Sequence, residues 1–156
     1  MNGALLRFLA LAAAAASAGA AAELPAPPAA VPGVANPREA HVDYMLKCQG
    51  CHRPDGVGDA VSNPPLRDTV ARFLHVPGGR AFLGRVPGVS MVDLDDRRTA
   101  QVLNWTLYRF DRAHVPADFK PYTAAEIHRL RADPIRLDRL ALRSRLVAQM
   151  EGLEGR

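Results

Sequence analysis

The sequence predicts an all-α fold, and three stretches carry this prediction. Asn36-Pro37 supplies an N-cap and a proline for a first helical turn, so a helix is expected from Pro37 to about Gln49. From Asp95 to Phe110, with Asp95 as the N-cap, apolar side chains recur at helical spacing. From Thr123 to Met150, a capping box and an amphipathic stretch predict a helical hairpin. The expected buried face of the first helix draws on Val42, Met45 and Leu46.

The length of 156 residues suits one domain preceded by an export signal. Residues 1–22 combine an early positive charge, an apolar run and a small-residue cleavage site near Ala22, which predicts a cleaved secretory signal and a periplasmic location. An uncleaved membrane anchor is the alternative, but the apolar run is shorter than the roughly 20 residues that a spanning helix needs. Residues 23–36 are rich in proline and alanine and predict a linker. Residues 37–111 are expected to form the core domain and residues 112–156 a helical extension, with no further segment able to span a bilayer.

The formal net charge of +4 is mild, and the basic side chains are dispersed among acidic ones. This pattern permits an acidic protein partner but gives no support for nucleic-acid binding, because there is no basic stripe interleaved with aromatic side chains.

The motif that carries chemistry is Cys48-Gln49-Gly50-Cys51-His52. Two cysteines at this spacing can bond covalently to the vinyl groups of one haem, while the adjacent histidine ligates its iron. The predicted export signal supports this interpretation, because haem is attached outside the cytoplasm in bacteria. The sequence therefore predicts one haem c, attached through Cys48 and Cys51, with His52 as an iron ligand.

Three other interpretations of the cysteines compete: a redox-active CxxC pair, half of a zinc site, and two turn cysteines without a function. A structural zinc site closes with four protein ligands, and the sequence has no third cysteine. A thioredoxin-like motif should open a helix after a strand, whereas a helical pattern leads into Cys48. These observations favour haem.

The stretch CQGCHRPDGVGD from Cys48 to Asp59, followed by Asn63-Pro64-Pro65-Leu66, resembles the start of the class I c-type cytochromes. The resemblance implies a helical fold around one haem. It also implies that the Pro64 carbonyl accepts a hydrogen bond from the His52 imidazole and that a later helix carrying an aromatic side chain closes the haem pocket. Trp105 is the candidate for that aromatic side chain.

The middle of the chain predicts loops and one short helix. Val76-Pro77-Gly78 and Val86-Pro87-Gly88 each predict a type II turn. Between them, Arg80 to Arg85 predict a short helix that presents Phe82 and Leu83 to the haem. The two arginines at its ends are expected at the solvated surface, with pairing to haem propionates as the alternative.

The second axial ligand is predicted to be Met91. A methionine thioether is a soft ligand that favours ferrous iron, and Met91 lies just before the last core helix, as the ligand methionine does in class I cytochromes. In that family a proline follows the methionine, whereas Val92 follows here. This departure leaves two alternatives open: His75 as the sixth ligand, or an iron with no second protein ligand.

The tail is predicted to contain two helices. A capping box at Thr123 starts the first, which is expected to end near Ala132, and Asp133-Pro134 is expected to start the second. The predicted apolar face of the second helix comprises Ile135, Leu142, Leu146 and Met150. The arginines of this stretch are expected mostly on the other face. The hairpin is expected to fold back over the core, with docking of a redox partner or a second copy as the alternative.

These observations predict a periplasmic protein that carries one electron at a time on its haem and has no enzymatic activity of its own. The electron donor and acceptor are expected to be other redox proteins. Two alternatives are a five-coordinate haem protein that binds a diatomic ligand or peroxide, and a thiol oxidoreductase that uses Cys48 and Cys51.

Overall fold

The computed structural model describes residues 30–59 and 62–155. The predicted secretory signal and residues 23–29 of the predicted linker lie outside the described residues. Across the described residues, the regular structure consists of α1 (Pro37–Lys47), α2 (Gln49–His52), a 3₁₀ helix (Ala71–His75), α3 (Gly79–Arg85), α4 (Pro87–Ser90), α5 (Asp96–Asp111), a second 3₁₀ helix (Arg112–His114), α6 (Ala124–Arg131) and α7 (Arg139–Glu154). The predicted all-α fold is confirmed.

Helix α1 begins as predicted but buries a different face. The Asn36 side chain accepts a hydrogen bond from the Glu39 backbone N–H, as an N-cap does. The expected burial of Val42, Met45 and Leu46 is wrong, because all three are exposed. The buried side chains are Ala40, Asp43 and Tyr44. Burial of Asp43 is tolerated because Arg98 of α5 supplies its counter-charge. Burial of Tyr44 is tolerated because its hydroxyl donates a hydrogen bond to the Arg53 carbonyl.

Helix α5 is the central element, packed between α1 and α6. Asp95 caps it as predicted, accepting a hydrogen bond from the Arg98 backbone N–H. Leu103, Leu107 and Phe110 are buried on its inner face, in agreement with the predicted apolar spacing. This helix therefore joins the segment that carries the CxxCH motif to the C-terminal extension.

The two predicted Pro-Gly turns have different outcomes. Gly78 has a φ of 82°, and the Gly79 N–H donates to the Val76 carbonyl, as in a type II turn. The second prediction is wrong, because Pro87 starts α4 instead. Proline suits either place, since its fixed φ is compatible with a turn and with a first helical position.

The extension is anchored to α5 by a reciprocal pair of buried polar contacts. The Tyr122 N–H donates to the Asn104 side-chain oxygen at 2.9 Å, and the Asn104 side-chain nitrogen donates to the Tyr122 carbonyl at 3.0 Å. Ile127 of α6 and Leu146 and Met150 of α7 are buried in the same cluster as α5 side chains. The tail therefore folds back over the core, as predicted.

The start of α7 differs from the prediction. Helix α7 begins at Arg139, so the expectation that Asp133-Pro134 would start it is wrong. The Arg85 side chain binds the Asp133 carboxylate and carbonyl, and the Ile135 N–H donates to the Arg85 carbonyl at 2.9 Å. These contacts hold residues 133–135 against α3 in a non-helical conformation, so α7 begins only at Arg139.

Candidate functional site

A cavity lies where α2, α3, α5 and the first turns of α7 meet. Its wall is mainly apolar and includes Leu66, Val70, Phe73, Phe82, Leu83 and Leu103. Phe82 and Leu83 therefore face this cavity, as expected from the sequence. No carboxylate lines the cavity within residues 30–59 and 62–155.

The two cysteines both border this cavity. Cys48 ends α1 and caps α2, and Cys51 lies within α2, so the two short helices set their spacing. The two cysteines form no disulfide with each other; Cys48 is half-buried and Cys51 is exposed. Burial raises the pKa of the Cys48 thiol to about 11, with the Asp43 carboxylate and Cys51 adding to the effect. A disulfide exchange enzyme needs a thiolate near neutral pH, so this environment does not support the thiol oxidoreductase alternative.

His52 borders the same cavity. Its Nδ1 atom is buried and has no hydrogen-bond partner among the described residues. Burial lowers the pKa of the imidazole. The nearby backbone of Pro64 raises this pKa, although its geometry falls short of a normal hydrogen bond. Pro64 lines the cavity as well. A neutral imidazole beside a backbone acceptor is the form that binds a metal ion, because the acceptor fixes the tautomer and the ring orientation.

The glycine-containing loop after His52 brings Pro64 to the cavity. The Gly58 N–H donates to the His52 carbonyl at 3.1 Å, and the Asp59 N–H donates to the Asn63 carbonyl at 2.7 Å. Gly58 has a φ of 60°, and a Cβ atom there would lie 2.0 Å from the Asn63 carbonyl oxygen. This glycine therefore allows two backbone segments to approach each other, and it does not itself line the cavity.

Met91 lies beside the cavity but its side chain is 63% exposed and does not line it. Its neighbours Gly88, Val89 and Val92 do line it. Arg131 of α6 fixes this loop by donating hydrogen bonds to the carbonyls of three residues and to one carboxylate. These acceptors are the carbonyls of Ser90, Val92 and Leu94 and the side chain of Asp96. The structure thus brings the loop, but not the thioether, to the site.

The structure places the two other predicted candidates away from the cavity wall. His75 is exposed, and its Nε2 atom lies 2.7 Å from the His114 carbonyl oxygen. Trp105 packs against His41 and Tyr44, with ring centroids 5.3 and 5.4 Å apart. Tyr44 lines the cavity where Trp105 does not. The tryptophan is therefore separated from the site by one layer of side chains.

Three cavity residues from the extension were not predicted from the sequence. Arg139, Leu140 and Arg143 of α7 line the cavity, although the arginines of this stretch are expected mostly on the opposite face. Spacing offers a signal that could have found them. Arg139 and Arg143 continue, at helical intervals, the stripe that contains the buried Leu146 and Met150.

Known proteins provide an independent comparison. No family model matches the chain. One cytochrome c-552 of Thermus thermophilus is 34% identical over 118 residues, which cover 64% of this chain and 80% of that protein. A second cytochrome c-552 of Thermus thermophilus is 35% identical over 104 residues, which cover 55% of this chain and 79% of that protein. The chain belongs to the c-type cytochromes. This membership confirms that the resemblance noted from Cys48 to Leu66 is to a c-type cytochrome.

This cytochrome carries a covalently bound haem c and transfers electrons. Its residues fit that group in two respects. The cavity is apolar, as a porphyrin requires, and Cys48, Cys51 and His52 all border it. The described residues hold no group of three or more His, Cys, Asp or Glu side chains that could bind a different metal ion.

The described helices of this cytochrome have no membrane-spanning candidate. None of them is both long enough and apolar enough to cross a bilayer.

Proposed function

We propose that this cytochrome is a class I carrier that holds its haem through Cys48 and Cys51, with His52 as the proximal iron ligand. The observation that carries this proposal is that both cysteines, His52 and Pro64 border one apolar cavity. When bound, the haem iron supplies one-electron exchange between its ferric and ferrous states.

The chain's own residues have distinct tasks in this proposal. Cys48 and Cys51 form the two thioether bonds, and helix α2 fixes the distance between them. The Pro64 carbonyl accepts the hydrogen bond from the His52 imidazole and so orients the ring and raises its basicity. The apolar wall excludes water from the iron, which favours the less charged ferrous state and raises the reduction potential.

Met91 is the proposed sixth ligand. Its loop borders the cavity through Gly88, Val89 and Val92, and the Met91 side chain would take an inward rotamer when the haem is bound. With both axial positions filled, no substrate binds the iron. We therefore propose that the protein has no enzymatic activity of its own.

The proposed setting is the periplasm, reached by means of a signal cleaved near Ala22. Export is consistent with the covalent attachment of haem, which bacteria carry out outside the cytoplasm. The proposed donor and acceptor are other redox proteins that meet this cytochrome at its exposed haem edge.

Absorption spectra of the purified ferric and ferrous protein test the ligand set. We expect the near-infrared band of methionine bound to ferric haem, and no rapid CO binding by the ferrous protein. Met91→Ala should abolish the band while the haem stays attached. Met45→Ala, which alters a half-exposed methionine of α1, is the matched control and should keep it.

Two results would contradict Met91 ligation. A low-spin ferric spectrum without the band would point to a nitrogen ligand such as His75. Rapid and complete CO binding by the unaltered ferrous protein would indicate an iron with no second protein ligand.

A further inference from the structure

Helix α7 carries a stripe of side chains that changes character along its length. Arg139, Arg143, Leu146 and Met150 recur at helical spacing on one face. Leu146 and Met150 are buried in the main hydrophobic cluster, whereas Arg139 and Arg143 line the cavity. The face of α7 that is apolar at Leu146 and Met150 therefore carries two guanidinium groups where it meets the cavity.

Arg143 lies in an environment that does not compensate its charge. Its guanidinium lies 5.9 Å from the centre of the Phe73 ring, and burial lowers the pKa of the side chain. No carboxylate lies within salt-bridge distance of it among the described residues. Partial burial of a cation is costly unless an anion is present, so the geometry calls for a negatively charged group in the cavity.

The arginines of α3 and α6 that lie near the cavity already have carboxylate partners. Arg80 makes a bidentate pair with Glu126, Arg85 pairs with Asp133, and Arg131 pairs with Asp96. Arg80 and Arg85, the two arginines considered for propionate binding from the sequence, are thus already paired within the protein. Lys47, the third cationic side chain on the cavity wall, is paired with Asp93 at 3.5 Å.

We propose that Arg143, with Arg139 at the cavity mouth, binds the propionate carboxylates of the haem. The proposal rests on the haem attachment described under the proposed function. The two propionates are the anionic substituents of haem c, and they project from the half of the macrocycle away from the vinyl groups. In the proposed attachment Cys48 would hold the vinyl side of the haem, with Lys47 next to it, and the α7 arginines are the other basic side chains on the cavity wall in the described residues. Arginine suits this role because its planar donors match a carboxylate.

The pairing has a consequence for electron transfer. A fixed positive charge beside the haem stabilises the ferrous state relative to the ferric state, because the ferric centre carries one more positive charge. Arg143 therefore raises the reduction potential, and the C-terminal extension becomes part of the redox site.

The test measures the reduction potential of the haem-loaded protein at one pH and salt concentration. Three variants, Arg143→Lys, Arg143→Gln and Arg143→Glu, vary the charge at one position. We expect the potential to fall in that order, with Lys nearest to the unaltered protein. For Arg143→Gln the ferrous-to-ferric ratio should fall by threefold to about tenfold, and tenfold is about 59 mV for one electron. Arg145→Gln, an exposed arginine of the same helix, is the control and should leave the potential unchanged.

Two results would overturn the proposal. One is a potential in Arg143→Gln that equals that of Arg145→Gln. The other is the same shift in all three Arg143 variants, since that would report altered packing and not charge. If the Arg143 variants fail to fold, Arg139→Gln at the exposed mouth provides the second test, with a smaller fall expected and no fall contradicting the proposal. A colourless protein without attached haem would instead refute the proposed function.

Discussion

Asp43 is a fully buried carboxylate whose counter-charge comes from a different helix. Its side chain is 0% exposed, and both carboxylate oxygens accept hydrogen bonds from Arg98 of α5. Arg97, the adjacent residue, makes an ion pair with Glu39 at the surface. Loss of Arg98 would therefore leave a buried carboxylate unpaired, whereas loss of Arg97 would leave a carboxylate at the surface unpaired.

Arg98→Ala should clearly lower the free energy of unfolding, because it leaves the buried Asp43 carboxylate without its counter-charge. Arg97→Ala should lower it much less, because the exposed pair between Arg97 and Glu39 is screened by water. Urea unfolding of the two haem-loaded variants measures the difference. Equal losses would contradict the assignment of Asp43 as a buried charge that depends on Arg98.

The lowered pKa of Glu39 predicts that the folded protein loses stability in acid. Hydrogen bonds from Arg97 and Gln101 lower the pKa of this carboxyl from 4.5 to about 2. Because the pKa is lower in the folded state, the stabilisation is fully present above pH 4.5 and is lost as the pH falls toward 2. Glu39→Gln should therefore lose stability less steeply over this window in acid titrations followed by urea unfolding. Parallel curves for the variant and the unaltered protein would refute this account of Glu39.

At the scale of elements, α7 is held by a few buried side chains. Leu146 is 3% exposed within the main hydrophobic cluster, whereas Leu153 on the same helix is 46% exposed. Leu146→Ala should lower the free energy of unfolding by about 3 kcal/mol, because it leaves a cavity. Leu153→Ala should change it by less than about 1 kcal/mol. A small effect of Leu146→Ala in urea unfolding would mean that α7 is not part of the cooperative core.

The sequence predicted helices best where local signals determine them. Asn36, Asp95 and Thr123 each accept the capping hydrogen bond expected of them, because a cap needs only residues three positions apart. The start of α7 could not be predicted in this way. Asp133 offers a good local cap, but its contact with Arg85 is a tertiary interaction that no local pattern reveals.

The buried face of α1 shows the same limit. Its apolar residues Val42, Met45 and Leu46 are exposed, whereas Asp43 is buried. A rule that places apolar residues inside fails here because the counter-charge for Asp43 lies on a helix more than fifty positions later in the chain.

At the scale of the molecule, the candidate site is assembled from segments that are far apart in the chain, from Tyr44 to Thr106 and from Arg139 to Arg143. The motif around Cys48, Cys51 and His52 supplies one wall, and its proposed role could be inferred from the sequence because the spacing itself carries the chemistry. The contribution of Arg139 and Arg143 was not predictable, because it depends on how the extension packs. The positions of Met91 and Trp105 relative to the cavity likewise depend on long-range contacts, with Arg131 for the loop and Tyr44 for the ring.

The most direct test of the central claim is the intact mass of the mature, haem-loaded protein after extraction with acidified organic solvent. We expect the mass of the polypeptide plus a single haem, with the colour remaining on the protein, because two thioether bonds survive this treatment. The double variant Cys48→Ala, Cys51→Ala should lose both the added mass and the colour. A mature protein with the mass of the bare polypeptide, or one whose colour passes into the solvent, would contradict the account.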